Sequence, residues 1–270
     1  MSAPPASSPN PPSRLTMLRA HVGTAAFALL GLGLFVASAA PFVLCAPLLA
    51  PARRHAIFVA WLRAEHLLLR LCCGLSFKAS GFEHLPQQPS LIFAKHQSML
   101  EVFTLPLFLP PQIWILKEEL LEVPLFGRAA RLLGAIPIRR GSGLAALEAM
   151  LNDGLAALHA GRWLVIFPEG TRVPAGQRVA RLKRGAGMLA AAAGVPVVPV
   201  AHNAGCFWRR RPWPIHAGTV HYVIGPAIDP AGRKAPAINR EVQVWLDATT
   251  TALEQQAGLI QADRFGTQGR

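Results

Sequence analysis

The stretch LIFAKHQSMLE, residues 91–101, joins an apolar run to a polar junction. Its first four residues are apolar and predict a short buried strand. Lys95, His96 and two polar residues follow directly, and Glu101 closes the stretch. Because α/β proteins place their functional groups at the carboxyl ends of strands, this junction is the first candidate site in the chain.

Two interpretations of His96 and Glu101 compete. On a helix, residues five apart point about 140° away from each other, so the two side chains can meet only if His96 precedes the first turn. In that arrangement Glu101 would orient His96, which would take a proton from a substrate hydroxyl. Alternatively, Ser98 and Glu101 form a capping box, in which the glutamate accepts a hydrogen bond from the serine N–H. Ser98 itself lacks the Gly-x-Ser-x-Gly turn of a serine nucleophile.

Short apolar runs alternate with helical stretches beyond residue 74, which predicts an α/β domain with helices flanking a sheet. The predicted strands cover residues 76–80, 91–94, 113–116, 135–138, 164–167, 197–201 and 220–224. The predicted helices cover residues 98–108, 124–133, 144–160, 184–193 and 239–256.

The composition favours a membrane surface as the partner of this chain. Of its 270 residues 52% are hydrophobic, and the formal net charge is +13. Both properties favour binding to an anionic bilayer. A nucleic-acid-binding protein would carry a more polar surface, and only 15% of these residues are charged, so we expect no nucleic-acid partner. The four cysteines have neither disulfide nor zinc spacing, which indicates a reducing compartment.

The N-terminal part of the chain predicts membrane attachment. Residues 1–13 are rich in proline, serine and alanine, and residues 22–52 form an apolar run long enough to cross a bilayer. Three interpretations remain open: a signal peptide, a single spanning helix, and a shallow helical hairpin broken near Pro41 with both ends in the cytoplasm. The helical run 55–71 could lie on the membrane or in the core.

The predicted division of the chain has four parts. They are a disordered N-terminus over residues 1–20, a membrane-attached helical segment over 21–74, an α/β domain over 75–260 and a C-terminal tail over 261–270. Every candidate site residue lies beyond residue 90. We therefore expect residues 1–50 to serve attachment rather than chemistry.

Three further junctions combine basic residues with glycine. They are GAIPIRRG at residues 134–141, FPEGTR at 167–172 and RLKRGAGMLA at 181–190. Arginine side chains, a threonine hydroxyl and free backbone N–H groups are what a phosphate needs. Each junction alone is typical of a turn with solvated charges, whereas their common position after strands or at a helix start favours one shared anion pocket.

Together these motifs resemble the 1-acyl-sn-glycerol-3-phosphate acyltransferases, the lysophosphatidic acid acyltransferase family, over roughly residues 75–205. HQSMLE at residues 96–101 is similar to the first motif of the family, His-x4-Asp. GAIPIRR matches the second, FPEGTR is the third without change, and VPVVPV at 195–200 matches the fourth. LKEELLEVPLFG at 116–127 also resembles the family.

The resemblance implies a glycerolipid acyltransferase fold, with a mixed sheet flanked by helices, and a reaction. His96 would deprotonate the free hydroxyl of lysophosphatidic acid, and Glu101 would orient His96. The hydroxyl would attack an acyl thioester of coenzyme A or acyl carrier protein, giving phosphatidic acid at the cytoplasmic face of the inner membrane. No metal or cofactor is implied beyond that co-substrate. The residues implied to hold the acceptor phosphate or shape its pocket are Lys117, Arg140, Glu169, Gly170, Thr171 and Arg172.

Two departures from the family pattern leave alternatives open. Glu101 stands where the family has aspartate, so a non-catalytic lipid-binding protein on the same fold is one alternative. Pro137 and Arg139 replace an aromatic and often an acidic residue of the second motif. Another acceptor, such as a lyso-ornithine lipid, is therefore the second alternative.

Overall fold

A mixed seven-stranded sheet forms the centre of the protein in the computed structural model, which describes residues 13–138, 143–209 and 213–258. The strand order is β1-β7-β6-β2-β5-β3-β4, and β1 and β7 run opposite to the other five. The strands are β1 (Leu75–Ser80), β2 (Leu91–Ala94), β3 (Gln112–Lys117), β4 (Ile136–Ile138), β5 (Trp163–Ile166), β6 (Val197–His202) and β7 (Gly218–Ile224).

The register of the parallel strands brings several predicted junctions to one edge of the sheet. Phe93 of β2 pairs with Ile166 of β5, and Lys117 of β3 pairs with Ile138 of β4. The chain therefore leaves β2, β3, β4 and β5 at nearly the same level. Because these strands are parallel, the segments that follow them share the carboxyl edge, where ligands bind in open α/β sheets.

Alternating side chains of the central strands build two cores, one on each face of the sheet. On β2, Ile92 and Ala94 belong to one core, and Leu91 and Phe93 belong to the other. All four residues of β2 are buried, as expected for a strand covered on both faces. The flanking helices are α3 (Leu100–Phe108), α4 (Phe126–Leu132), α5 (Gly143–His159), α6 (Arg184–Ala193) and α7 (Ala235–Gln256).

Two long helices, α1 (Arg14–Cys45) and α2 (Pro51–Cys73), precede the sheet and pack against each other. α1 begins inside the stretch 1–20 that the sequence predicted to be disordered, and that prediction is wrong for residues 14–20. The Ser13 side chain caps the helix by accepting a hydrogen bond from the Thr16 N–H. Such a cap satisfies one of the free N–H groups at a helix start.

The hairpin turns later than the sequence predicted. α1 continues through Pro41, and the chain reverses in a short 3₁₀ turn at Ala46–Leu48. Ala50 is extended, with ψ of 148°, because the following Pro51 disfavours the helical conformation at the residue before it. Pro51 then opens α2, where its missing N–H is not needed.

α1 also packs on the sheet domain. The Thr24 hydroxyl accepts a hydrogen bond of 2.8 Å from the Ile215 N–H, and the Phe27 ring meets Trp208 edge-on with centroids 5.7 Å apart. Phe27 belongs to one of the two sheet cores. Within the described residues, α1 and the turn after it form one segment long and apolar enough to cross a membrane, which indicates membrane association.

Candidate active site

His96 and Glu101 meet at the carboxyl end of β2. Nδ1 of His96 lies 2.8 Å from Oε1 of Glu101, and α3 starts at Leu100, so His96 precedes the helix. A carboxylate can only accept a hydrogen bond, so Nδ1 carries a proton, and in the neutral ring the free lone pair is then on Nε2. The imidazole is 17% exposed, whereas Glu101 is fully buried. The pair thus has the geometry of a base and its orienting carboxylate.

Glu101 also caps the segment in front of α3. Its Oε1 accepts hydrogen bonds of 2.9 Å from the Gln97 N–H and 2.8 Å from the Ser98 N–H. The contact with the Ser98 N–H that the capping interpretation predicts is therefore present, and the same carboxylate also has the position that the catalytic interpretation requires. Burial alone would raise the pKa of Glu101, but the hydrogen bonds from His96 and the Ser98 N–H outweigh it and hold that pKa below its ordinary value.

Phe167 covers one face of the His96 imidazole. The two rings are stacked with centroids 4.0 Å apart and an interplanar angle of 14°. Trp114 of β3 supports Phe167 from a centroid distance of 5.6 Å. The imidazole is therefore fixed by a hydrogen bond at one edge and by an aromatic ring on one face.

Glu169 is bound by groups inside the protein. Its carboxylate is buried, forms an ion pair with the buried Lys95 and accepts a hydrogen bond of 2.7 Å from the His96 N–H. Both carboxylate oxygens are occupied from inside, so Glu169 holds the turn in place, and its predicted part in shaping the substrate pocket stays a prediction. Burial raises the pKa of Glu169, and Lys95 opposes that shift. Removing either partner would leave an uncompensated buried charge.

The turn around FPEGTR holds the backbone of His96 from a second side. The Val173 N–H donates a hydrogen bond of 2.7 Å to the His96 carbonyl. Gly170 has φ of 70°, and a Cβ there would lie 3.0 Å from the Lys183 side chain, so both conformation and space favour glycine. Thr171 is exposed beside it, as a residue available to a ligand would be.

Of the predicted phosphate-binding residues, the structure describes some and not others. Arg172 and Lys117 are half-buried, and Lys117 ends β3 at the carboxyl edge. Arg139 and Arg140 lie outside the described residues, although β4 leads to them from the same edge. Within the described ranges, no group of three His, Cys, Asp or Glu side chains is arranged to hold a metal ion.

His202, a buried histidine that the sequence analysis did not identify, binds the backbone next to His96. Nε2 of His202 donates a hydrogen bond of 2.8 Å to the Lys95 carbonyl, and its Nδ1 accepts one of 3.2 Å from the Ala204 N–H. Burial lowers the pKa of His202, which keeps the ring neutral in this tautomer. His202 is the last residue of a strand, a position that is itself a signal for function.

Comparison with known proteins identifies related acyltransferases. Residues 76–203 match the family model described as Acyltransferase. A 1-acyl-sn-glycerol-3-phosphate acyltransferase of Pseudomonas aeruginosa is 39% identical over 221 residues, covering 81% of this chain and 82% of the relative. A lyso-ornithine lipid O-acyltransferase of the same organism is 39% identical over 137 residues, which is 50% of each chain.

A solved structure has the same fold. The crystal structure of the 1-acyl-sn-glycerophosphate acyltransferase of Thermotoga maritima aligns with a TM-score of 0.73 and 23% sequence identity, covering 88% of this chain and 97% of the other. The predicted fold class is thereby confirmed. On the extended likeness to the Pseudomonas protein, the chain belongs to the 1-acyl-sn-glycerol-3-phosphate acyltransferase family.

Proposed function

We propose that the protein transfers a fatty acyl group from acyl-CoA or acyl carrier protein to the free hydroxyl of lysophosphatidic acid, giving phosphatidic acid. The observation that carries the proposal is the 2.8 Å contact between His96 Nδ1 and Glu101 Oε1, which leaves Nε2 as a base. The glutamate in place of aspartate reaches the imidazole. This intact pair supports the catalytic role over the alternative of a non-catalytic lipid-binding protein.

The proposed reaction balances without further reactants. Nε2 of His96 takes the proton of the acceptor hydroxyl as its oxygen attacks the thioester carbonyl. The tetrahedral intermediate collapses to the ester and a thiolate. The imidazolium returns its proton to that thiolate, and Glu101 stabilises the positive charge in between. We therefore propose no metal and no cofactor besides the thioester co-substrate.

The acceptor phosphate would bind at the carboxyl edge of the sheet. Arg172 and Lys117 are half-buried there, and Arg140 follows β4 in the sequence. Gly170 and Thr171 would shape the pocket. The net charge of +13 and the apolar α1 support action at an anionic bilayer, for which we propose the cytoplasmic face of the inner membrane.

An acyl-transfer assay tests this proposal. Purified protein in detergent would receive lysophosphatidic acid and either acyl-CoA or acyl carrier protein, and phosphatidic acid would be measured by mass spectrometry. We expect product with the wild type and none with His96→Ala. Equal product from both proteins would overturn the assignment of the base.

A lyso-ornithine lipid is a second candidate acceptor. The likeness to the lyso-ornithine lipid enzyme and the departures at Pro137 and Arg139 favour it. The same assay with both acceptors present in equal amounts separates the two. Preference for lysophosphatidic acid supports the first proposal, and preference for the lyso-ornithine lipid replaces it.

A further inference from the structure

We infer that Glu254, near the end of the last helix, is a positioning residue for the catalytic pair and acts through the side chain of Gln97. This inference rests on the proposed function, since it assigns a role in that reaction. Gln97 follows His96 directly and is fully buried. Its Nε2 donates a hydrogen bond of 2.7 Å to Oε1 of Glu254, which is also fully buried.

The Gln97 amide has one possible orientation. Its Oε1 accepts a hydrogen bond of 3.1 Å from the Gly205 N–H, which can only donate. The Glu254 carboxylate can only accept a hydrogen bond, so the positions of Nε2 and Oε1 of Gln97 cannot be exchanged. A Cβ at position 205 would lie 2.9 Å from the Gln97 Cβ, so this backbone approaches the side chain closely.

The other oxygen of Glu254 is held by an arginine. Nη2 of Arg178 donates hydrogen bonds of 2.8 Å to Oε2 of Glu254 and 2.7 Å to the Thr251 hydroxyl. We call Gln97, Arg178, Gly205 and Glu254 the Gln97 clamp. It joins four segments: the loops after β2, β5 and β6, and α7.

The Gln97 clamp and His96 are connected through one oxygen atom, Oε1 of Glu101. The Gln97 N–H donates to Oε1 of Glu101, and this oxygen also binds His96 Nδ1. A shift of the Gln97 backbone would therefore move Glu101 relative to the imidazole. Misplacement of a reacting group by about 1 Å can lower the rate about a hundredfold. Glu254 lies beyond residue 203, where the match to the family model ends.

The test exchanges the two polar groups of the clamp. Gln97→Glu places two carboxylates together, and Glu254→Gln removes the charge that Arg178 binds. In the double variant, the carboxylate introduced at position 97 can accept hydrogen bonds from the Gly205 N–H and from the amide introduced at position 254. The oxygen of that amide then faces Arg178. We expect each single variant to lose about ten- to a hundredfold in kcat with both KM values nearly unchanged. The double variant should recover most of that loss.

Two controls separate positioning from stability. Leu246→Ala removes a buried core side chain of α7 and should lower the Tm while kcat, measured well below that Tm, stays unchanged. Glu241→Gln changes an exposed carboxylate of the same helix and should alter neither quantity. Should Glu254→Gln behave like Leu246→Ala, or the double variant be no better than the singles, the positioning role is refuted.

A readout without substrate keeps the clamp distinguishable from the proposed reaction. In ¹⁵N-histidine-labelled protein, the Nδ1 proton of His96 bound to Glu101 should give an exchange-protected NMR signal, identified by its loss in His96→Ala. We expect that signal in wild type, Leu246→Ala and the double variant, and its loss in the single clamp variants. An inactive wild type with this pattern would refute the proposed acceptor and retain the clamp. An active wild type whose signal survives Glu254→Gln would refute the clamp alone.

Discussion

Glu101 shows how one buried carboxylate can connect a backbone turn to the residue that we propose as the catalytic base. Its Oε1 is within hydrogen-bond distance of His96 Nδ1 and of the Gln97 and Ser98 N–H groups. The turn therefore cannot rearrange without disturbing the imidazole. For the same reason, a substitution of Glu101 must be judged by both stability and rate.

Glu101→Gln should lower kcat by roughly a hundredfold or more, the usual scale of general-base assistance. The amide oxygen can still accept the capping hydrogen bonds, so we expect a stability loss of about 1 kcal/mol. The neutral amide cannot stabilise an imidazolium as a carboxylate does. The checks are kcat and the Tm of the same preparation.

Glu101→Asp and His96→Ala are the matched comparisons. The aspartate restores the residue usual in the family and should keep substantial activity, whereas His96→Ala should abolish turnover with the fold intact. Full activity of Glu101→Gln beside an inactive His96→Ala would reduce Glu101 to a helix cap. Full activity in both would leave the mechanism without its base.

Arg172→Ala should raise the KM for the acceptor about ten- to a hundredfold and leave the KM for the acyl donor unchanged. A charge-assisted contact between arginine and phosphate is strong. Because Arg172 is only half-buried, losing this contact should weaken acceptor binding less than losing a fully buried one. The measurement is steady-state kinetics with each substrate varied in turn. Arg162→Ala, an exposed arginine before β5 at the opposite edge, is the control. Equal changes for both substrates would argue against a phosphate contact.

The predicted contact between His96 and Glu101 is present in the structure because it depends on local sequence. His96 and Glu101 lie in one junction, so spacing and a resemblance were enough to pair them. The ion pair of Glu169 with Lys95 was missed because the two residues are 74 positions apart, and no local pattern reports such a pairing. Gln97 and Glu254, 157 residues apart, were missed for the same reason.

At the scale of elements, the α1–α2 hairpin contains a buried acid. Glu65 of α2 is 3% exposed, and a Cβ at Gly31 of α1 would lie 2.8 Å from its Oε2. Burial raises the pKa of Glu65 to about 7. The folded state therefore favours the neutral acid, and the stability that it contributes is lost as pH rises from about 4.5 to about 7.

Glu65→Gln should raise the Tm at pH 8 and change it little at pH 5. At pH 8 the wild type carries a buried charge that the amide lacks, whereas at pH 5 the folded wild type is already neutral at this position. Thermal unfolding in detergent at both pH values measures the difference. Glu241→Gln on the exposed face of α7 serves as the control. The same Tm shift at both pH values would contradict the explanation.

Element boundaries were predictable wherever periodicity was strong and local. β2 and α6 have the predicted bounds, and the other strands differ by one or two residues at their ends. The hairpin turn was placed at Pro41 and lies at residues 46–50 instead. A proline weakens a helix but does not end one whose other contacts hold it, and packing of α1 on α2 is not visible in a sequence.

At the scale of the whole molecule, α1 packs on the sheet domain in addition to its proposed role in membrane attachment. Deleting residues 1–50 should release the protein from membranes and also lower its Tm by several degrees, because Thr24 and Phe27 contact the sheet domain. Membrane flotation and thermal unfolding test the two effects. The expectation that residues 1–50 serve attachment rather than chemistry stays a prediction, to which these contacts add a part in stability.

Phe27→Ala in the full-length chain separates the two roles. It removes the packing on Trp208 and leaves the apolar helix, so the Tm should fall while membrane binding persists. If the truncated protein kept the wild-type Tm, the contacts of α1 with the sheet domain would contribute nothing to its stability. If the protein lacking residues 1–50 stayed on membranes, α2 would be the better candidate for the anchor.

The pairing of β1 with β7 sets an order of events during synthesis. The Ser76 hydroxyl of β1 donates a hydrogen bond to the Gly218 carbonyl of β7, 142 residues later in the chain. At a translation rate of about 5–20 residues per second, β7 is made on the order of ten seconds after β1. A strand without a partner is a template for aggregation. β1 directly follows α2 and packs against it, so the nascent strand emerges beside a helical hairpin that is already complete. We therefore expect the hairpin that is proposed to attach the finished enzyme also to cover β1 until β7 has been made.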